Sequence, residues 1–220
     1  MGKITGKIAV ITGGNQPNSL AMAKKLAAEE AKAVVILTNN AAEDAAEIQA
    51  QGAVCYAYQC NIADFDDVTR CFNEIKANLG EVDILINNPN ASCEKTLLET
   101  TPAEWQEILA INVHSMFYTC KQVFASMKER KTGELIVFSS DAAMGVAGNA
   151  SYAITKACAL GYFGSCARET EKYTITTNVV TPTASATPEE VADVVALLVS
   201  EDGRALHSQI IKVFHSRLEA

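Results

Sequence analysis

Tyr152 and Lys156 are four residues apart, a spacing that puts both side chains on one face of a helix. A phenol of pKa about 10 is a poor base at neutral pH, and a nearby ammonium favours its ionised form. Such a pair suits a proton moving to or from a substrate oxygen. Upstream lie Ser139-Ser140, Asn112 within Ile111-Asn112-Val113-His114, and a polar turn, Asn87-Asn88-Pro89-Asn90. Near the start, an apolar run ends in Thr12-Gly13-Gly14-Asn15-Gln16-Pro17-Asn18-Ser19-Leu20. Taken singly, the Tyr/Lys pair could equally mark a surface helix; its company carries the reading.

The elements that must position these residues alternate along the whole chain. Short β-branched runs predict strands over residues 7–12, 33–38, 54–59, 82–87, 134–139, 174–180 and 209–214. Helical patterns lie between them, over residues 19–30, 42–51, 64–79, from 101 onward, 151–171 and 187–200. Two of these open on capping boxes, Thr101-Pro102 with Glu104, and Thr187-Pro188-Glu189-Glu190. Continuous apolar strands are buried on both faces, as in a parallel sheet covered by helices. The expected fold is α/β: a Rossmann-like, doubly wound seven-stranded parallel sheet, one domain over residues 1–220. In such a sheet ligands bind beyond the C-terminal strand ends, where all of the residues above fall.

With this order (T-G, N-N, N, S, then Y-x-x-x-K) and these strand placements, the chain resembles the classical short-chain dehydrogenase/reductase family over nearly its full length. The resemblance implies an NAD(P)-dependent oxidoreductase that interconverts a secondary alcohol and a ketone, 3-oxoacyl thioesters among the eligible substrates. It implies catalytic roles for Asn112, Ser140, Tyr152 and Lys156. Tyr152 would exchange the proton, Lys156 would tune the phenol and hold the nicotinamide ribose, Ser140 would polarise the substrate oxygen, and Asn112 would hold a relay water. The spacing from serine to tyrosine is one residue shorter than the family's usual one, so Ser139 is the alternative to Ser140. For the dinucleotide the resemblance implies Gly13, Gly14, Gln16, Ser19, Leu20, Thr38, Asn39, Asn61, Ile62, Asn88 and Pro182, together with Tyr152 and Lys156.

Several positions depart from the family pattern. Its glycine turn has Pro17 and Ser19 in place of two glycines, and proline removes one N–H that could face a phosphate. An acid expected after the third strand is Asn61, and the turn N-N-A-G has become Asn87-Asn88-Pro89-Asn90. The acid that selects NAD at the end of the second strand is replaced by Leu37, followed by Thr38, which could bond a 2′-phosphate; this leans the choice between NAD and NADP toward NADP. About thirty residues of substrate lid are missing between Pro182 and Thr187, which leaves the site open on one side and suits a bulky or carrier-bound substrate.

Composition sets the remaining limits. With 18 Lys and Arg against 26 Asp and Glu the net charge is −8, and the sequence has no basic stripe for nucleic acid. No apolar run reaches the roughly 18 residues of a membrane span, and the N-terminus lacks an export signal, so a cytoplasmic location is expected. Seven cysteines, an odd number without a C-x-x-C pair, read as reduced thiols, and three scattered histidines do not suggest a metal site. Small residues crowd the helix at 151–171 (Ala153, Ala157, Ala159, Gly161, Gly164 and Ala167), and the resemblance places that helix in a homodimer or homotetramer interface. The alternative to an enzyme is a weakly active or inactive partner subunit, supported by the eroded turn and the missing lid.

Overall fold

The computed structural model describes residues 4–215. Runs of Val, Ile and Leu form strands β1 (Ile8–Ile11), β2 (Ala33–Thr38), β3 (Cys55–Gln59) and β4 (Ile84–Asn87). The remaining strands are β5 (Thr132–Phe138), β6 (Thr174–Pro182) and β7 (Ile210–Val213). They join one parallel sheet in the order β3-β2-β1-β4-β5-β6-β7. The order reverses between β1 and β4, so the turns that leave those two strands lie side by side, and a crevice opens there.

The helices are α1 (Pro17–Ala28), α2 (Ala41–Gln49), α3 (Phe65–Asn78) and α4 (Pro102–Leu109). They continue with α5 (Ser115–Arg130), α6 (Ala150–Thr170) and α7 (Pro188–Val199). Both predicted capping boxes form: Thr101 with Glu104 opens α4, and Thr187 with Glu190 opens α7. Helix α1 begins at Pro17, two residues earlier than the apolar period suggests, because proline fits a first helical turn that needs no N–H. The long helix expected from residue 101 is interrupted by a π-helical turn, Ala110–His114, which contains Asn112. A short 3-10 turn, Asp141–Met144, follows Ser140.

One face of the sheet packs Met22, Ala23 and Leu26 of α1 with Val191, Val195 and Val199 of α7. The other packs Val68, Phe72 and Ile75 of α3 with Cys120, Val123 and Met127 of α5 and Phe163 of α6. Strand alternation decides which face each side chain joins. It sends Leu37 into the second cluster, 1% exposed, and turns Thr38 toward the glycine turn, where a β-carbon on Gly14 would lie 3.6 Å from its Oγ1. The position able to present an acid to a ribose is therefore Thr38, not Leu37.

Near the N-terminal ends of the strands, away from the crevice, Glu134 of β5 is buried, and burial holds its carboxyl above the usual range; Lys7 Nζ donates to it at 2.8 Å. Removing the cation strands an unpaired buried carboxylate. Lys7→Met is expected to lower unfolding free energy by roughly 3 kcal/mol in denaturant titration, and an unchanged midpoint would show that Glu134 is satisfied without it.

Candidate active site

The crevice is a cavity of about 750 Å³, walled by Gly13, Gly14, Asn15, Gln16, Thr38 and Asn39 on one side. Asn61, Ile62, Pro89, Asn90 and Ile111 are among the residues that complete it. Its size suits a cofactor-sized ligand. Gly13 sits at φ +108°, and a β-carbon there would lie 2.2 Å from the carbonyl oxygen of Asn88. Only glycine lets the turn after β1 pass so close to the turn after β4. Asn88 is tied further: its N–H donates to Thr12 Oγ1 and its Nδ2 to Ser19 Oγ, both at 3.1 Å. Gln16 caps α1 without a side-chain hydrogen bond, so the first-turn N–H groups are left for a ligand anion. The glycine cradle and the uncapped helix fit a dinucleotide pyrophosphate. Of the residues expected to hold it, Gly13, Gly14, Gln16, Thr38, Asn39, Asn61 and Ile62 line the cavity. Ser19, Leu20, Asn88, Tyr152, Lys156 and Pro182 stand outside its walls. Ser19 is fully buried and serves Asn88, while Pro182 pairs with Val213 of β7.

A residue that sequence reasoning missed stands beside Thr38. Asp44, on the first turn of α2, is 9% exposed and lines the same cavity. Its carboxylate accepts from the Thr38 hydroxyl and, at 2.8 Å, from Asn15 Nδ2. No lysine, arginine or histidine is among the residues described as lining the cavity. Its signal in the sequence was an acid in the first turn of the helix after β2, one element beyond the place where acids are usually sought.

Three of the four proposed catalytic residues, Lys156, Tyr152 and Asn112, converge on the segment that leaves β4. Lys156 is buried, donates from Nζ to the Pro89 carbonyl at 2.8 Å, and is pushed down to about 8 by burial. The Tyr152 hydroxyl donates to Asn90 Oδ1 at 2.8 Å. Asn112 grips Ala91 at both ends: its Oδ1 accepts from the Ala91 N–H at 2.9 Å, and its Nδ2 donates to the Ala91 carbonyl at 2.7 Å. Asn112 Nδ2 also reaches Thr155 Oγ1 at 3.1 Å. Its amide thus holds the segment in place.

Two expectations are refined here. The Lys156 ammonium lies 5.2 Å from the centre of the Tyr152 ring and bonds Pro89, so it does not pull the phenol down. Burial raises the phenol instead, and the opposing influence is a hydrogen bond shared with Ser140. The two serines also separate. Ser139 is buried and donates to the Lys156 carbonyl at 2.8 Å, whereas Ser140 stands beside the phenol and accepts from Ala142 N–H.

A family model described as short chain dehydrogenase matches residues 7–193. The 3-oxoacyl-[acyl-carrier-protein] reductase FabG of Salmonella typhimurium is 35% identical over 179 residues, 80% of this chain and 72% of the relative. FabG of Escherichia coli matches over the same span with the same identity. MabA of Mycobacterium tuberculosis, also a 3-oxoacyl-[acyl-carrier-protein] reductase, is 28% identical over 93% of this chain and 90% of its own. Among solved structures, gox2181 superposes with a TM-score of 0.88 at 24% identity, covering 96% of this chain and 95% of that one. A Burkholderia xenovorans protein provisionally assigned to the short-chain dehydrogenases/reductases gives 0.87 at 24% identity, over 97% of both chains.

The Asp44 carboxylate sets a charge against a 2′-phosphate, with no cation on the cavity wall to offset it. Asp44→Asn is expected to raise affinity for NADPH relative to NADH several-fold, read by nicotinamide fluorescence. An unchanged ratio would mean that the carboxylate does not face the ribose.

Proposed function

The chain belongs to the short chain dehydrogenase family, and from that premise we propose how this NAD(P)-dependent oxidoreductase interconverts a secondary alcohol and a ketone. The observation that carries the reading is the convergence of Tyr152, Lys156 and Asn112 on residues 89–91, which also line the glycine-walled cavity. The nicotinamide dinucleotide, when bound, supplies or takes up the hydride at the substrate carbon. In reduction the Tyr152 hydroxyl donates its proton to the substrate oxygen, and Ser140 hydrogen-bonds the same oxygen. Because burial raises the phenol, Tyr152 keeps its proton at neutral pH and is ready as an acid; alcohol oxidation needs the phenolate and gains from rising pH. Lys156 holds the nicotinamide ribose and keeps the Pro89 carbonyl in place, and Asn112 fixes the segment through Ala91.

The substrate class we infer is a 3-oxoacyl thioester, small or carried by a protein. FabG and MabA support it by their names. So does the absence of a lid: between the end of β6 at Pro182 and the cap of α7 at Thr187 there is only a short turn closed by Ala186 N–H on the Thr183 carbonyl. Met144 and Val146, just beyond Ser140, are exposed and offer an apolar rim to an acyl chain. Between the two dinucleotides, the strand end favours NADP by carrying Thr38 and no acid, while Asp44 works against a 2′-phosphate from α2. Seven free thiols support a reducing, cytoplasmic setting.

A second copy of the chain is the partner that this reading adds. Phe117 and Ile154 are 49% and 42% exposed on α5 and α6, and Gly161 and Gly164 leave open space where β-carbons would stand. Between the two helices runs a groove of about 460 Å³ lined by Phe117, Phe124 and Tyr162. A homodimer or homotetramer would cover this face.

Tyr152→Phe is expected to lower turnover of a 3-oxoacyl thioester by roughly two orders of magnitude or more while leaving dinucleotide affinity nearly unchanged. Ser140→Ala should behave likewise; if Ser139→Ala does so instead, the serine assignment is wrong. Light scattering should give twice 23.5 kDa or more for the native chain and a smaller particle for Gly161→Arg; a native mass of 23.5 kDa at micromolar concentration would exclude the oligomer.

A further inference from the structure

Residues 88–91 form a strap between the cavity and the catalytic side chains. Its backbone is held on one side by Thr12 Oγ1 on the Asn88 N–H. On the other side Lys156 holds the Pro89 carbonyl, and Asn112 holds both backbone groups of Ala91. Between these fixed points stands Asn90, exposed at the cavity wall, its side chain bound to the Tyr152 hydroxyl at 2.8 Å. The geometry matters because of which atom makes that bond. Asn90 Oδ1 is a carbonyl oxygen, and it accepts the proton that Tyr152 must give to a substrate carbonyl.

We propose that Asn90 is a specificity-determining residue, an internal competitor whose amide oxygen occupies the place on Tyr152 that a substrate oxygen must take. This rests on the assignment of Tyr152 as the proton donor. An amide oxygen is a stronger hydrogen-bond acceptor than a ketone oxygen, so a substrate displaces it only with help from contacts elsewhere. Ser140 supplies one such contact at the same oxygen, and the open, apolar rim at Met144 and Val146 supplies another to a long acyl chain. Small ketones without such a chain gain little from the rim and are disfavoured. Because the strap backbone is fixed at its neighbours, only the Asn90 side chain has to swing aside.

Two variants separate this competition from a structural role. Asn90→Ala removes the acceptor, and Asn90→Asp replaces it with a charged one. With a short-chain 3-oxoacyl thioester as probe, KM should fall about fivefold in Asn90→Ala, the equivalent of one ordinary hydrogen bond, and rise in Asn90→Asp. A second measurement needs no substrate. The ultraviolet titration of each protein, less that of the same protein carrying Tyr152→Phe, isolates the Tyr152 phenol. Its pKa should move down in Asn90→Ala, where the acceptor that favours the protonated phenol is gone, and up in Asn90→Asp, where a negative charge opposes the phenolate. Opposite shifts in the two variants support the proposal, whether or not the probe is turned over. A phenol that titrates alike in all three proteins overturns it, as does KM moving in one direction for both variants. Failure of the native protein to bind NADH or NADPH would instead remove the dinucleotide reading, which the phenol titration does not depend on.

Discussion

The constraint on which the site depends is the approach of two backbones at the reversal of the strand order. The carbonyl of Asn88 occupies the space that a β-carbon on residue 13 would fill. That contact fixes the turn after β1 against the turn after β4, and the hydrogen bonds from Asn88 to Thr12 and Ser19 lock it. Everything functional is referenced to this junction. The glycine turn shapes the cavity on one side of it, and on the other side the strap runs on to meet Lys156, Tyr152 and Asn112. Ser19, which stands at a glycine position of the related turn, reads as an erosion in sequence and proves to be a partner of Asn88.

Much of the fold was legible because it is written in local terms. Apolar strands, two capping boxes and proline at a helix start each specify an element within a few residues, and the sheet follows from their alternation. Most candidate catalytic residues were legible for a related reason: Ser140 follows a strand end and Tyr152 and Lys156 repeat at helical spacing, whereas Asn112 was legible only through the family resemblance. What sequence did not convey is direction. Leu37 and Thr38 are neighbours in the chain, yet the pleat packs the Leu37 side chain into the core and turns the Thr38 hydroxyl to Asp44 and the glycine turn. Asp44 could not be paired with Thr38 until α2 was laid against β2. The influence of Lys156 on Tyr152 was misjudged for the same reason, since helical spacing shows that two side chains share a face but not which third group claims them.

Buried polar groups in this site serve one another before they serve a ligand. Ser139 supports the backbone of Lys156, Thr155 supports the Asn112 amide, and Asn112 supports Ala91. Such chains rigidify a site, and they explain how Lys156 tolerates burial that lowers its affinity for a proton: its position is set by the helix and by Pro89, not by a counter-ion.

The π-helical turn at Ala110–His114 is a place where the helix absorbs one residue beyond the α-helical count. A π-turn accommodates one residue more than an α-helix over the same span, so losing one residue there would mend the helix. The mended helix would keep its flanks in register, whereas a residue lost from regular α-helix turns everything beyond it by about 100°. Cys120, Val123 and Met127 would stay on the sheet, and what would change is the local backbone from which Asn112 grips Ala91. The extra residue therefore shapes the polar grip on the strap without disturbing the hydrophobic packing of α5.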